Sequence, residues 1–138
     1  MRIEITTDIA ACQHLRRLVF IEEQGVSVTD EVDGLDDSAI HLLALERDGP
    51  VGTARLLVTG DAAKIGRVCV LPSERGKGIG VALVLAALAE LQSRPNIRTA
   101  LLGSQSHVAG FYEKLGFVIE GKEFLDAGIP HRHMRRAI

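Results

Sequence analysis

The sequence predicts an α/β (α+β) chain, built on a mixed, mostly antiparallel sheet of six to seven strands flanked by about three to four helices. Three observations predict it. Between His41 and Val70 the chain reads as successive β-runs separated by tight turns. The stretch from Gly78 to Gln92 carries no charge between Lys77 and Glu90 and has the length of a helix. Beyond it, one short helix and three short strand patterns alternate, and a sheet with helices on its faces is the economical way to bury them.

Taken in order, Met1 to Thr6 alternates apolar and polar residues as a first strand, and Asp8 is placed to cap a helix. From Ile9 to about Glu23, Ala11, Leu15, Leu18, Val19 and Ile21 recur at helical spacing, with Arg16 and Arg17 expected to point outward. Glu22 to Asp37 follows, with seven carboxylates and no Lys or Arg. It reads either as a solvated loop or as a mouth that attracts a cationic amine. A calcium loop is excluded, since aligning Gly34 on the invariant glycine puts Ile40 where a bidentate Glu belongs.

His41–Arg47, the turn at Asp48-Gly49-Pro50 and Val51–Thr59 make a hairpin, because Asp-Gly between apolar runs is a strong turn signal. Gly60-Asp61 turns again and Lys64–Val70 returns as a strand. After the long helix, which must bury most of its circumference, Arg94-Pro-Asn stops it. Thr99–Gly103 is then a strand, Ser104-Gln-Ser106 a candidate cap for a helix from His107 to Leu115, and Gly116 its end. Phe117–Phe124 and Ile129–Arg136 are the closing strands.

At 138 residues, 46% hydrophobic and 25% charged, the chain is expected to fold as one domain over residues 1–138. A net charge of −2 supplies no basic field for nucleic acid. The longest uncharged run, Gly78 to Ala89, is too short to span a bilayer, and no secretory leader pattern opens the chain, so no membrane partner and a cytoplasmic location are expected. Cys12 and Cys69 are too few for a disulfide framework. Cys69 alternates with Val68 and Val70 as a packing thiol rather than a nucleophile. His131 and His133 share one strand face but lack the further ligands a metal would need, and no metal is expected.

The organising stretch is Val68-Cys-Val-Leu-Pro-Ser-Glu-Arg-Gly-Lys-Gly-Ile-Gly80, which passes from a strand through three alternating glycines into the long helix. A helix entered this way offers unpaired N–H groups and a positive dipole end to an anion. Arg75 and Lys77 add donors suited to phosphate. It is no P-loop, because Val81 stands where Lys and Ser or Thr would follow the last glycine, and it lacks the spacing of a dinucleotide fingerprint.

Arg75-x-x-Gly78-x-Gly80 after a strand ending Val70-x-Pro72 resembles the acetyl-coenzyme A loop of the GNAT family of N-acetyltransferases. Gly110-Phe-Tyr-Glu-Lys-Leu-Gly-Phe117 resembles the same family's second signature. Val19–Val26, Glu31-Val-Asp33, Asp36, Gly66–Pro72 and Gly128-Ile-Pro-His131 are similar to its ElaA and YjcF group. The resemblance implies the GNAT acyl-CoA N-acyltransferase fold, an acyltransferase activity, and acetyl-CoA as donor. It places pantetheine along Val68, Cys69 and Val70, the Val70 N–H at the thioester oxygen, and the pyrophosphate on Arg75, Gly76, Lys77, Gly78, Ile79 and Gly80. Gln105 joins the donor site and Tyr112 gives a proton to the coenzyme A sulfur, in direct transfer to an amine.

The acceptor is expected to be a primary amine of a small molecule. Gln24, Arg67 and His131 are candidates to line its pocket. Glu23, Glu31, Asp33 and His41 are candidates to receive its proton, with no spacing that selects among them. A non-catalytic acyl-CoA sensor and a protein-lysine acetyltransferase share the donor signals and stand as alternatives. The apolar helix and sheet edges also admit a homodimer.

Overall fold

The computed structural model describes all 138 residues. Strands β1 (Arg2–Thr6), β2 (Ile40–Glu46), β3 (Gly49–Thr59), β4 (Ala62–Val70), β5 (Thr99–Gln105), β6 (Val118–Asp126) and β7 (Ile129–Ala137) form one sheet in the order β1-β2-β3-β4-β5-β7-β6. Helices α1 (Ile9–Arg16), α2 (Val28–Glu31), α3 (Ile79–Gln92) and α4 (Ala109–Glu113) complete the fold. All neighbouring strands are antiparallel except β4 and β5. The element order matches the alternation of patterns along the sequence.

Strand alternation gives the sheet two buried faces. Leu42 and Ala44 of β2 join a core of 19 buried residues under α3, while Leu43 between them joins a core of five with Cys12, Leu15, Val19 and Cys69. α3 seats Leu83, Val84, Ala87, Leu88 and Leu91 against the larger core but leaves Leu85 half exposed. Only Leu85, Ala89 and Gln92 of the helix are exposed, so it covers most of its circumference, as expected. Leu83 is fully buried, and truncating such a leucine to alanine costs about 2–5 kcal/mol.

Three local expectations are corrected. The first helix is capped as expected, with the Ala11 N–H donating to Asp8 Oδ1 at 3.1 Å, but it widens into a π-helical turn over Arg17–Glu23. Arg16 points inward and is 2% exposed. The acidic stretch is solvent-exposed over most of its length, as expected of a surface segment, but it is not structureless: it folds into α2 and a 3₁₀ turn at Asp36–Ser38, with Glu31 buried. Its carboxylates meet arginines of α1, β3 and β4: Glu31 with Arg16, Asp36 with Arg16 and Arg55, and Asp33 with Arg55 and Arg67. Finally, Ser104 and Gln105 extend β5, and α4 has no side-chain cap. The Ser106 hydroxyl instead donates to Glu123 at 2.7 Å.

One irregularity makes the site. β4 and β5 pair only from Ala62 to Ile65 and Thr99 to Leu102. Immediately beyond, Arg67 and Val68 of β4 together oppose the single residue Ala54 of β3, a β-bulge in which Arg67 takes φ +51°. A bulge bends its strand, and past it the ends of β4 and β5 separate.

Candidate active site

The gap between the separated strand ends is a cleft of about 780 Å³. The Leu71 N–H donates to Val51 of β3 at 2.9 Å. Amides alternate sides along an antiparallel strand, so the preceding N–H, that of Val70, faces the edge that β5 has left. The chain then makes a 3₁₀ turn at Pro72–Glu74 and enters α3 through Gly76 and Gly78, both at φ +81°. Left-handed backbone at two alternate positions is what those glycines supply.

The consequence is a run of free donors. The amides of residues 76 to 81 have no acceptor, and α3 has no side-chain cap. They open the 14-residue helix α3, whose positive dipole end faces the same way. Gly76, Gly78, Ile79 and Gly80 all line the cleft, as do Val68, Cys69 and Val70.

The two cations expected at this loop are engaged elsewhere. Arg75 lines the cleft but donates from Nε to the Val70 carbonyl at 3.1 Å and from Nη1 and Nη2 to Glu23 at 2.6 Å each. It clamps the end of the first helix to the end of β4. Lys77 pairs with Glu74 at 2.7 Å and is not part of the cleft wall. The donors left free at this end are main-chain amides.

Tyr112 of α4 lines the cleft on the β5 side, with its ring edge-on to Phe111 at 4.9 Å and to Phe117 at 6.1 Å. Burial alone pushes its phenol up to about 12. Cys69, across the cleft, is also pushed up to about 12 by burial and remains a thiol at neutral pH. Gln105 Nε2 donates to Gln24 Oε1 at 3.0 Å, a contact that joins the end of β5 to the end of the first helix.

The acceptor candidates separate into two groups. Gln24, Glu31, Arg67 and His131 line the cleft; Glu23, Asp33 and His41 do not. Hydrogen bonds from Arg75 hold the Glu23 carboxyl below its usual range, which makes it a poor base. His41 is buried beneath the acidic segment, its Nε2 against the Asp36 carbonyl at 2.8 Å. Hydrogen bonds from Arg55 hold Asp33 at about 2 against desolvation, and bonds from Arg16, Gln13 and Arg55 hold Asp36 lower still. Of the four expected bases, Glu31 alone reaches the cleft. Its Oε1 accepts from Arg16 Nε at 2.8 Å and its buried Oε2 has no partner.

Sequence patterns missed Lys64, Phe124, Asp126 and His133, which line the same end. Phe124 stacks on His133 at 4.0 Å, and a Cβ on Gly103 would stand 3.6 Å from the Phe124 ring. The available signal was the period-two spacing of His131 and His133, opposite Phe124 across the Asp126-Ala127-Gly128 turn.

Comparison with known proteins agrees with this geometry. Residues 20–138 match the family model described as an acetyltransferase (GNAT) domain. The uncharacterized N-acetyltransferase YjcF of Bacillus subtilis is 35% identical, with 89% of this chain and 88% of YjcF covered. ElaA of Escherichia coli is 31% identical over 96% of this chain and 89% of its own. The crystal structure of an acyl-CoA N-acyltransferase from Pseudomonas aeruginosa superposes with a TM-score of 0.89 at 30% identity, covering 99% and 100% of the two chains. A Bacillus subtilis acetyltransferase solved in complex with CoA shares the fold at a TM-score of 0.78 and 22% identity, covering 99% and 98%. With its sheet, its cleft and its relatives in agreement, the chain belongs to the GNAT acetyltransferase family and is an acyltransferase.

Proposed function

We propose that residues 1–138 act as one domain that transfers an acetyl group from acetyl-CoA to a primary amine of a small molecule, by direct attack. The observation that carries this reading is the row of acceptor-free amides at residues 76 to 81 beside the unpaired edge of β4. A diphosphate fits such donors, and a pantetheine arm extended from it would lie along Val68 to Val70. The family's acyl-CoA chemistry and the relative solved with CoA support the same donor.

In the proposed reaction the amine nitrogen attacks the thioester carbon, the C–S bond breaks, and the sulfur leaves as a thiolate. The Val70 N–H donates to the carbonyl oxygen as charge develops on it. Tyr112 supplies the proton to sulfur. A phenol at about 12 is fully protonated at neutral pH. Against a reference thiol of about 8.5 its proton transfer would be steeply uphill, but burial raises a thiolate in the same way, as it does for Cys69. The ammonium proton leaves through water in the cleft, with Glu31 the only one of the four expected bases in its wall, and Gln24, Arg67 and His131 border the amine.

Release of free coenzyme A thiol with a panel of small amines tests the reading. Acetyl-CoA-dependent release that requires an amine is the expected result; tight coenzyme A binding with no release for any amine would make the protein a sensor.

A further inference from the structure

The proposed transfer leaves one proton without a protein group to receive it. Glu31 is in the cleft wall, but its Oε1 accepts from Arg16 and its Oε2 is closed to solvent. His41 is closed in the same way, with Nε2 spent on the Asp36 carbonyl and Nδ1 buried. A base must offer a lone pair that the ammonium can reach.

His131 meets that condition. It lines the cleft, half-buried near the start of β7, and its Nδ1 lies 2.7 Å from the Ile129 carbonyl. A carbonyl oxygen only accepts, so Nδ1 carries the hydrogen and donates it, and in the neutral ring the lone pair belongs to Nε2. Nε2 makes no hydrogen bond and, unlike the free nitrogen of His41, is open. The Phe124 ring flanks the imidazole, centred 5.7 Å away.

Its place in the sheet suits the role. β7 pairs His131 with Gln105, the last residue of β5, and directly paired residues project from the same face. Gln105 reaches Gln24 at the end of the first helix, so this face is the one the acceptor residues line. The β4–β5 ladder stops at Ile65 and Leu102, and counting on through the bulge brings Cys69 and Val70 level with Gln105 and Ser106. Gln105 and Phe124, paired with His131 on either side, are both uncharged. The charged groups of the surrounding wall are Lys64 and Arg67 of β4, Asp30 and Glu31 of α2 and Asp126 of β6, with His133 of β7 and His107 beyond β5 also titratable.

We infer that His131 is the general base of the transfer, with Nε2 taking a proton from the acceptor's ammonium. The assignment rests on the proposed acetyl transfer and completes its proton balance. One ammonium proton passes to Nε2 and gives an imidazolium, which hands it on to water; the freed lone pair forms the C–N bond, and the C–S bond breaks. The second proton that the nitrogen loses restores the one Tyr112 gives to sulfur. The third stays on the amide.

The test has two arms, both on the whole chain. With ¹⁵N-labelled histidine, the ring nitrogens of His131, assigned by their loss in His131→Gln, are expected to show a protonated Nδ1 and a bare Nε2 while the ring is neutral. The opposite tautomer would overturn the base. In the second arm, thiol release with the best amine of the panel is followed against pH. His131→Gln is expected to lower kcat/KM about 100-fold at neutral pH, within the range for a lost general base, to abolish the acid limb of the profile, and to leave coenzyme A affinity unchanged. His133→Gln should keep the limb. A limb that survives in His131→Gln or vanishes in His133→Gln instead, or a matching loss of coenzyme A affinity, overturns the assignment and leaves the transfer reading standing. A native protein that binds coenzyme A and releases no thiol with any amine strikes the transfer reading, and the base with it.

Discussion

The donor end of the cleft is made of main chain and the acceptor end of side chains. At the first, consecutive amides, two left-handed glycines and a helix dipole come from one continuous segment, residues 70 to 81. At the second, Glu31, Lys64, Arg67, Phe124 and His131 come from four elements and meet only in the folded chain. Backbone donors serve any ligand with the same diphosphate. A wall of side chains can be rewritten residue by residue, so an acyltransferase can keep its donor while changing its acceptor.

The comparison breaks most visibly where the acceptor wall depends on buried charge. Arg16→Ala leaves Glu31 and Asp36 without their main partner, and removal of one member of a buried ion pair costs about 3–5 kcal/mol; urea unfolding measures it. The same network sets the acid limit. Asp33 sits at about 2 when folded, below the ordinary carboxylate value, so its contribution is complete above about pH 4 and is lost as pH falls towards 2. Unfolding curves between pH 2 and 5 should follow that direction, and Asp33→Asn should flatten it.

Tyr112→Phe is expected to lower kcat about 100-fold, within the range for a lost general acid, with coenzyme A affinity unchanged. Steady-state kinetics with a separate binding titration checks the split. Gly78→Val must place a β-branched residue at φ +81° and should weaken coenzyme A binding about tenfold by moving amides that the phosphates need, a change calorimetry would read. The smallest effect is a control remote from both ends. Asp8→Ala removes the α1 cap and should cost about 1 kcal/mol without altering coenzyme A affinity.

What the sequence made legible follows the same division. Gly76 and Gly78 announce a strand-to-helix turn with free amides because the conformation itself demands glycine. The succession of elements along the chain and the Asp8 cap were equally local in origin. The acidic stretch was not, since Arg16, Arg55 and Arg67 stand 15 to 37 residues from the groups they meet. Seven carboxylates therefore looked like an open mouth when four of them, Glu23, Glu31, Asp33 and Asp36, are paired within the fold. For Arg75 and Lys77, adjacency to the loop did not announce their pairing with Glu23 and Glu74.

The central claim is that the amides opening α3 hold the donor's diphosphate while the Val70 N–H faces its thioester. Titrating ¹⁵N-labelled protein with coenzyme A and following individual amide resonances tests it most directly. The account predicts the largest shifts at residues 76 to 81, with Val70 moving in parallel at the same affinity. Shifts centred on the Glu22–Asp37 segment, with the α3 amides unmoved, would contradict it.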